Sequence, residues 1–178
     1  MIEDSIGVIN SMFGIGIIGC GLIGNKRANS LGAKGKLIAC ADLKIENAKK
    51  LAASFNAIAL DSWEDILKID NIDIIVISTL HDSLSSITKS AIQSGKHVLV
   101  EKPAGRSYKE IEEILPEINK TDLKVRVGFN HRYHPAILKA KEIIESGDLG
   151  ELMFLRARYG HGGRLGYEKE WRANPDKS

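Results

Sequence analysis

Short apolar runs alternate with segments of helical spacing along most of the chain. Four of the five runs are nearly continuous in hydrophobicity, as parallel strands buried on both faces are. The predicted strands cover residues 15–18, 37–41, 74–77, 98–100 and 125–129. Between them, Ser62 and Ser107 each open a four-residue sequence that fits a capping box and predicts the start of a helix. The alternation predicts an α/β fold, a doubly wound parallel sheet with right-handed crossovers.

The pattern changes after residue 129. His134-Pro135 predicts a new helix, because proline suits the first turn, and Gly147 is placed to end that helix. Residues 151–159 then predict a strand, and the tail beyond them is rich in glycine and charge. We expect three parts: an N-terminal extension over 1–13, the doubly wound domain over 14–130, and the incomplete start of an α+β domain over 131–178.

Composition narrows the class of protein. Of the 178 residues, 43% are hydrophobic and 27% are charged, and 25 basic against 23 acidic side chains give a net charge of +2. This mix is typical of a soluble globular protein. Without a basic run, or an apolar stretch of about 18 residues, the sequence predicts neither a nucleic-acid partner nor a membrane partner. Cys20 and Cys40 are too few to predict a disulfide framework, and they indicate a reducing, cytoplasmic location.

Two overlapping glycine frames match the G-x-G-x-x-G pattern that binds a dinucleotide pyrophosphate. One frame is Gly14, Gly16 and Gly19, and the other is Gly19, Gly21 and Gly24. The motif has to lie between a strand and a helix N-terminus, where free backbone N–H groups and the helix dipole meet the phosphates. Only the second frame leaves an apolar strand before the turn, so we predict that frame. Its cofactor-binding residues are Gly19, Gly21, Leu22, Ile23 and Gly24.

Asp42 ends the second predicted strand, close to the ~20-residue spacing at which an acid binds the adenosine ribose. A carboxylate there accepts hydrogen bonds from both ribose hydroxyls of NAD and repels the 2′-phosphate of NADP. The nearby Lys44 is a cation, so NADP stays an alternative cofactor. Strand, glycine turn, helix and acid together predict a Rossmann domain that binds NAD, with NADP less favoured.

Three further segments carry a family resemblance. They are GKHVLVEKP at 95–103, GFNHRYHP at 128–135 and SGDLGE at 146–151. From Gly14 onward the chain resembles the glucose–fructose oxidoreductase/inositol dehydrogenase family, also called Gfo/Idh/MocA, and the Glu-Lys-Pro triplet is the most specific element of the likeness. The resemblance implies an NAD-dependent oxidoreductase that moves hydride between nicotinamide and a carbinol carbon of a sugar or sugar nucleotide.

The resemblance also assigns roles around the triplet. Lys102 would be the catalytic residue and contact the cofactor, because an ammonium that hydrogen-bonds the substrate hydroxyl stabilises developing alkoxide charge. Glu101 would contact the nicotinamide ribose. Thr79 and His81 would line the nicotinamide side of the cofactor site, with an exposed loop position the equal alternative for His81. Leu84 stands where the family commonly has a histidine.

Polar and aromatic residues follow the last predicted strand. Asn130 is a further candidate for cofactor contact, and Arg132 and Tyr133 are candidates for recognising substrate hydroxyls, a carboxylate or a phosphate. The tail resembles a substrate loop of family members that act on sugar nucleotides. Its residues are His161, Arg164, Tyr167, Trp171 and Arg172. His131 and His134 lie three residues apart, but no Cys or Glu is spaced to complete a metal site, so we predict none.

The resemblance finally implies an aspartate and a histidine that assist proton transfer shortly after the Trp-Arg segment. The sequence reaches Ser178 where these residues would begin. We therefore expect the 178-residue chain to bind cofactor without turnover, and a longer form to be a homo-oligomer that acts on a small sugar or sugar nucleotide. Two alternatives stay open. One is a Rossmann module that binds a nucleotide without catalysis, and the other is a flavoprotein, which leaves the Glu-Lys-Pro triplet unexplained.

Overall fold

The computed structural model describes residues 12–160 and 165–178, and the chain divides into two compact units between Val127 and Gly128. This division lies close to the predicted boundary after residue 130. Residues 1–11, which make up most of the predicted extension, lie outside the described residues. The first strand begins at Phe13, inside the range that the sequence assigned to the extension.

The described part of the first unit contains six strands. Their bounds are β1 Phe13–Ile18, β2 Gly35–Ala41, β3 Ile58–Leu60, β4 Ile74–Ile77, β5 His97–Val100 and β6 Val125–Val127. They form one sheet in the order β3-β2-β1-β4-β5-β6, and every pair of neighbours is parallel. This is the strand order of a dinucleotide-binding Rossmann fold, so the predicted doubly wound sheet is confirmed.

Helices cover both faces of the sheet. Their bounds are α1 Leu22–Asn29, α2 Ile45–Phe55, α3 Trp63–Leu67, α4 His81–Gln93, α5 Tyr108–Glu112 and α6 Leu115–Asn119. Ile17 and Val76 belong to a buried cluster with residues of α1 and α2. Ile75 and Ile77 belong to a second cluster with residues of α3 and α4. Neighbouring strand residues thus enter opposite cores, and this explains why the strands are continuously apolar.

The predicted helix signals act as expected. The Ser62 hydroxyl accepts a hydrogen bond from the Asp65 N–H at 3.3 Å, and the Ser107 hydroxyl accepts one from the Glu110 N–H at 3.4 Å. Pro116 lies in the first turn of α6, after a break that separates it from α5. Proline lacks the N–H that a continuous helix needs, and this explains why α5 and α6 do not join into one helix.

Two strand predictions need correction. The sequence analysis missed β3, a three-residue edge strand that pairs only with β2 among the described residues, because so short a run carries almost no periodic signal. It also extended the last strand to residue 129. The ladder stops earlier because the pairing of Val100 with Val127 exhausts β5.

The described part of the second unit contains α7, Pro135–Glu145, and three short 3-10 turns at Asn130–Tyr133, Tyr167–Lys169 and Trp171–Ala173. His134 caps α7, because its Nδ1 accepts a hydrogen bond from the Ala136 N–H at 3.3 Å, and Gly147 follows the helix with φ +79°. The strand predicted over residues 151–159 is wrong: a strand requires a paired neighbour, and the described part of this unit offers none. Across residues 12–160 and 165–178, none of the helices reaches the length and hydrophobicity that a bilayer span requires.

Candidate active site

The first residues after the central strands lie in a row that we call the carboxyl edge: Asp42, Gly19, Ser78 and Glu101. The backbone N–H groups of Gly19, Ser78 and Glu101 each donate to the last carbonyl of the adjacent strand, at 2.8, 2.8 and 2.9 Å. These bonds continue the sheet ladder by one residue and fix where each loop leaves the sheet. Open α/β sheets bind their ligands outside the carboxyl ends of the strands, at the point where the strand order reverses.

The three glycines between the end of β1 and the first turn of α1 meet three different requirements. Gly19 has φ +92°, a backbone conformation that side chains strongly disfavour. A Cβ on Gly21 would have no atom within 4 Å, so this position leaves open space next to the turn. A Cβ on Gly24 would lie 2.0 Å from the Gly19 carbonyl oxygen, so only glycine lets α1 pack this closely. These are the tight turn, the phosphate approach and the helix–strand contact of a dinucleotide site.

The competing glycine frame has a different explanation. A Cβ on Gly14 would lie 1.8 Å from the Asn71 carbonyl oxygen, and one on Gly16 would lie 2.8 Å from the Ile66 side chain. Both glycines are inside β1 and make room for the loop and helix packed on it. The structure therefore supports the second frame.

The N-terminus of α1 presents backbone donors to the turn. The first helical hydrogen bond runs from the Asn25 N–H to the Gly21 carbonyl at 3.0 Å. The N–H groups of Leu22, Ile23 and Gly24 thus precede the helical ladder, as the orphan donors of a helix start do. Leu22 and Ile23 have exposed side chains, so nothing apolar is buried at this end. Such a terminus suits an anionic pyrophosphate.

Asp42 is oriented by three donors. Its Oδ2 accepts a hydrogen bond from the Cys20 N–H at 2.8 Å, and its Oδ1 accepts from the Lys44 N–H at 2.8 Å and the Asn47 side-chain amide at 3.1 Å. The carboxylate is half-buried and is tied directly to the glycine turn. A carboxylate has about four acceptor sites, so capacity remains for about one further hydrogen bond, such as one from a ribose hydroxyl.

The two cysteines lie close to Asp42. Both are buried and unbridged, and the Cys20 thiol donates to the Ala41 carbonyl at 3.4 Å. The adjacent Cys40 thiol and burial raise the pKa of the Cys20 thiol, with a smaller contribution from the Asp42 charge. Cys20 is therefore a neutral packing residue beneath the turn.

The end of β4 joins the row through Ser78. Its hydroxyl donates to the Gly19 carbonyl at 2.7 Å and so fastens the glycine turn to the central strand. Thr79 and His81 follow it, both half-buried, and His81 is the first residue of α4. Leu84, in the first turn of α4, has its side chain fully buried in the core. At the position where the family commonly has a histidine, this chain therefore has a core side chain.

The end of β5 carries the Glu-Lys-Pro triplet. Glu101 is only 9% exposed. Its Oε1 accepts a hydrogen bond from the Arg27 Nε at 2.6 Å and forms an ion pair with the Arg27 Nη2. The Lys102 side chain is exposed and makes no hydrogen bond or ion pair with another described residue. The Lys102–Pro103 peptide bond is cis. The triplet thus combines an anchored carboxylate with an ammonium that is available to a ligand.

The loop after the triplet is tied down by Glu110. This carboxylate accepts hydrogen bonds from the Arg106 N–H at 2.8 Å, the Arg106 Nε at 3.0 Å and the Ser85 hydroxyl at 3.4 Å. The backbone hydrogen bond from Arg106 and the adjacent guanidinium lower the pKa of the Glu110 carboxyl. Together these contacts connect the loop, α5 and α4.

The residues of the carboxyl edge fit NAD. The open space at Gly21 and the first N–H groups of α1 suit the pyrophosphate, and the oriented Asp42 suits the adenosine ribose. A family model described as an oxidoreductase family with an NAD-binding Rossmann fold, Gfo/Idh/MocA, matches residues 13–129. The chain belongs to this family. The predicted resemblance and the NAD-binding Rossmann fold are confirmed.

Known relatives of this Gfo/Idh/MocA chain include named dehydrogenases. Inositol 2-dehydrogenase of Gluconacetobacter diazotrophicus is 27% identical over 152 residues, which are 82% of this chain and 45% of the relative. The uncharacterized oxidoreductase YrbE of Bacillus subtilis is 32% identical over 138 residues, 76% of this chain and 40% of its own length. A crystal structure of an NAD binding oxidoreductase from Klebsiella pneumoniae has a TM-score of 0.73 at 30% identity, covering 79% of this chain and 40% of that one. The chain thus spans less than half the length of the relatives it matches.

The remaining predicted site residues belong to the second unit. Asn130, Arg132 and Tyr133 lie in its first 3-10 turn, and the Arg132 guanidinium is 5.9 Å from the centre of the Phe129 ring. The predicted tail residues Tyr167, Trp171 and Arg172 lie in or next to its last two turns. The Arg172 guanidinium stacks 4.5 Å from the Trp171 ring. His161 and Arg164 lie outside the described residues.

The two histidines considered as metal ligands have other contacts. The His131 ring meets the Tyr159 ring edge-on at 5.4 Å, and His134 caps α7. Within the described residues, no three His, Cys, Asp or Glu side chains come together as a group able to hold a metal ion.

Three residues that form or hold the carboxyl edge escaped the sequence analysis. Ser78 holds the glycine turn, Asn47 holds Asp42, and Arg27 holds Glu101. Ser78 and Arg27 have partners 59 and 74 residues away, so no local spacing reveals them. Only Asn47 had a local signal, because an amide five residues after a strand-end acid can fold back onto it.

Proposed function

We propose that this chain forms the cofactor-binding part of a dehydrogenase that moves hydride between NAD and a carbinol carbon of a sugar, sugar alcohol or sugar nucleotide. The observation that carries the proposal is the exposed Lys102 ammonium next to the anchored Glu101, on the same edge as the glycine turn. NAD, when bound, supplies the carbon that accepts the hydride. Relatives named inositol 2-dehydrogenase and levoglucosan dehydrogenase support a polyhydroxylated substrate.

The chain's own residues have distinct tasks in this proposal. Gly19, Gly21 and the first turn of α1 bind the pyrophosphate, and Asp42 binds the adenosine ribose. Glu101 accepts hydrogen bonds from the nicotinamide ribose, and this contact fixes the position of the nicotinamide ring at the carboxyl edge. Lys102 donates a hydrogen bond to the substrate hydroxyl and stabilises the alkoxide charge that develops as hydride leaves.

For the remaining parts of the ligands, we propose which residues lie close to them without assigning individual hydrogen bonds. Thr79 and His81, at the end of β4, line the nicotinamide side. In the second unit, Asn130 contacts the cofactor. The substrate-binding residues of that unit are Arg132, Tyr133, Trp171 and Arg172.

A second function is favoured by one observation. Leu84 is buried where the family commonly has a histidine, so this position of α4 supplies no acid–base side chain. The chain on its own would then bind NAD without turning over substrate. In that case it would be a nucleotide-binding module.

Substitution of Lys102 tests the catalytic proposal. In a polypeptide extended to the length of the relatives, Lys102→Ala should lower kcat by roughly 10²–10⁴-fold, the usual effect of losing a positioned proton-transfer group. NADH formation with a panel of inositols, sugars and sugar nucleotides gives kcat, and calorimetry gives the NAD affinity, which should change little. Lys109→Ala, an exposed lysine on α5, serves as the matched control. A Lys102→Ala protein with normal kcat would refute the role.

A further inference from the structure

We infer that Arg27 is a positioning residue of the cofactor site, which holds the Glu101 carboxylate ready to accept hydrogen bonds from the nicotinamide ribose. The inference rests on the proposed function, because it takes the contact between Glu101 and the ribose from there. It adds a residue of α1 to a site otherwise built from strand ends and the glycine turn.

The geometry of the pair leaves one carboxylate oxygen for a ligand. Arg27 directs both Nε, at 2.6 Å, and Nη2 to the same oxygen, Oε1 of Glu101. Hydrogen bonds between described residues do not use Oε2. No fully buried side-chain oxygen or nitrogen in the described part of the chain lacks a hydrogen-bond partner, so Oε2 must reach solvent. One oxygen is therefore anchored, and the other is at least partly accessible.

Burial explains why the carboxylate needs this partner. The side chains of Arg27 and Glu101 are 22% and 12% exposed. A carboxylate this far from water is strongly disfavoured unless it is paired and hydrogen-bonded. A charge-assisted bond from a planar guanidinium fixes the direction of the carboxylate as well as its charge. An ionised and oriented carboxylate is what a ribose diol requires.

The competing explanation is that Arg27 only fastens α1 to the sheet. Loss of a fastener would disturb the glycine turn, because that turn leads directly into α1. Binding of any ligand with a pyrophosphate would then weaken by the same factor. A positioning role predicts something different: only ligands with the nicotinamide ribose are affected.

Titration of NAD and ADP into the 178-residue chain separates the two explanations, because ADP has the adenosine ribose and the pyrophosphate but no nicotinamide ribose. We expect Arg27→Met and Glu101→Gln each to weaken NAD binding about tenfold. ADP affinity should stay within about twofold. In the Glu101→Gln background, Arg27→Met should cause no further loss, because the group that it positions is already changed.

Two more variants complete the test. Arg27→Lys keeps the charge but loses the guanidinium fork, so its NAD affinity should fall between wild type and Arg27→Met; it also replaces Arg27→Met if that protein is too unstable to titrate. Lys26→Met removes an exposed cation from the adjacent position of α1 and should leave the ratio of NAD to ADP affinity unchanged.

Equal losses of NAD and ADP affinity in Arg27→Met, or additive losses in the double variant, would overturn the inference. So would unchanged NAD affinity in Arg27→Met alongside a loss in Glu101→Gln, a result that leaves the proposed role of Glu101 intact. If Glu101→Gln itself leaves NAD affinity unchanged, both the role of Glu101 and the inference fail.

Discussion

We propose that the single side chain of Asp42 decides which cofactor the edge accepts. Its carboxylate is oriented by the Cys20 and Lys44 N–H groups and by the Asn47 amide, so it would meet an adenosine ribose without reorganisation. We predict that NAD binds more tightly than NADP, because the carboxylate repels the 2′-phosphate. Calorimetric titration of both cofactors measures the difference, and equal affinities or a preference for NADP would contradict it.

Two substitutions divide the effect of Asp42 into its parts. Asp42→Asn keeps the shape and an acceptor but removes the charge, so the gap between NAD and NADP should narrow mainly through improved NADP binding. Asp42→Ala also removes the hydrogen bonds to the ribose, so NAD binding should weaken about tenfold as well. Asp61→Asn, an exposed acid after β3, is the control and should change neither affinity.

The site residues that the sequence predicts share one property. Gly19, Gly24 and Asp42 lie close to the strand ends that precede them, so spacing along the chain points to them. Arg27 and Ser78 act through partners on distant segments, and these are brought close only by the order of the strands. A single sequence contains no local sign of such contacts.

The strand–turn–helix element of β1 and α1 offers a matched pair of glycine substitutions. Gly24→Ala places a Cβ 2.0 Å from the Gly19 carbonyl oxygen, so it should lower the free energy of unfolding by at least about 2 kcal/mol. Gly21→Ala meets open space and has φ −70°, so the fold should keep its stability while NAD binding weakens, because the new methyl occupies the approach of the pyrophosphate.

Thermal or urea unfolding and NAD titration of the two variants check this prediction. The two variants should separate, with stability lost in one and affinity lost in the other. If Gly24→Ala were as stable as wild type, the close packing of α1 on the turn would be wrong. If Gly21→Ala bound NAD normally, the pyrophosphate would not approach at this glycine.

Through Glu110, the loop after the Glu-Lys-Pro triplet should make the free energy of unfolding depend on pH in the acid range. The pKa of Glu110 is lowered in the folded protein by the Arg106 backbone and guanidinium, so the ionised form is favoured by folding. The stabilisation is fully present above the ordinary pKa of a glutamate and is lost as pH falls through the lowered, folded value. Glu110→Gln should therefore cost roughly 1 kcal/mol near neutral pH and little in acid.

Urea unfolding of wild type and Glu110→Gln across this pH range gives the difference directly. Glu112→Gln, an exposed neighbour on α5, is the control and should show no comparable dependence on pH. A difference between wild type and Glu110→Gln that stays constant from neutral to acid pH would show that the carboxylate charge has no part in holding the loop.

The elements themselves were largely predictable. Five strands and the helix starts at Ser62, Ser107 and Pro135 follow from hydrophobic runs and capping chemistry. The short edge strand β3 was missed and residues 151–159 were taken for a strand, because pairing decides both cases and a sequence does not display pairing. An apolar run becomes a strand only where a neighbour accepts its hydrogen bonds.

At the scale of the molecule, topology creates the site. Strand order β2-β1-β4-β5 places Asp42, the glycine turn, Ser78 and the Glu-Lys-Pro triplet side by side, although the helices α2, α3 and α4 separate Asp42 from Glu101 along the chain. The parallel direction of the strands puts all of their carboxyl ends at the same edge. A sequence that encodes the fold therefore also brings the proposed ligand contacts into one row.

The central claim is that this edge is the NAD site of a Gfo/Idh/MocA oxidoreductase. The most direct test is calorimetric titration of NAD into the 178-residue chain, in the presence and absence of ADP, with NADH formation followed in the same samples after addition of an inositol and sugar panel. We predict saturable binding of one NAD per chain, competition by ADP, and no NADH formation by this polypeptide alone. Absence of saturable NAD binding, or NAD binding that ADP does not displace, would contradict the account.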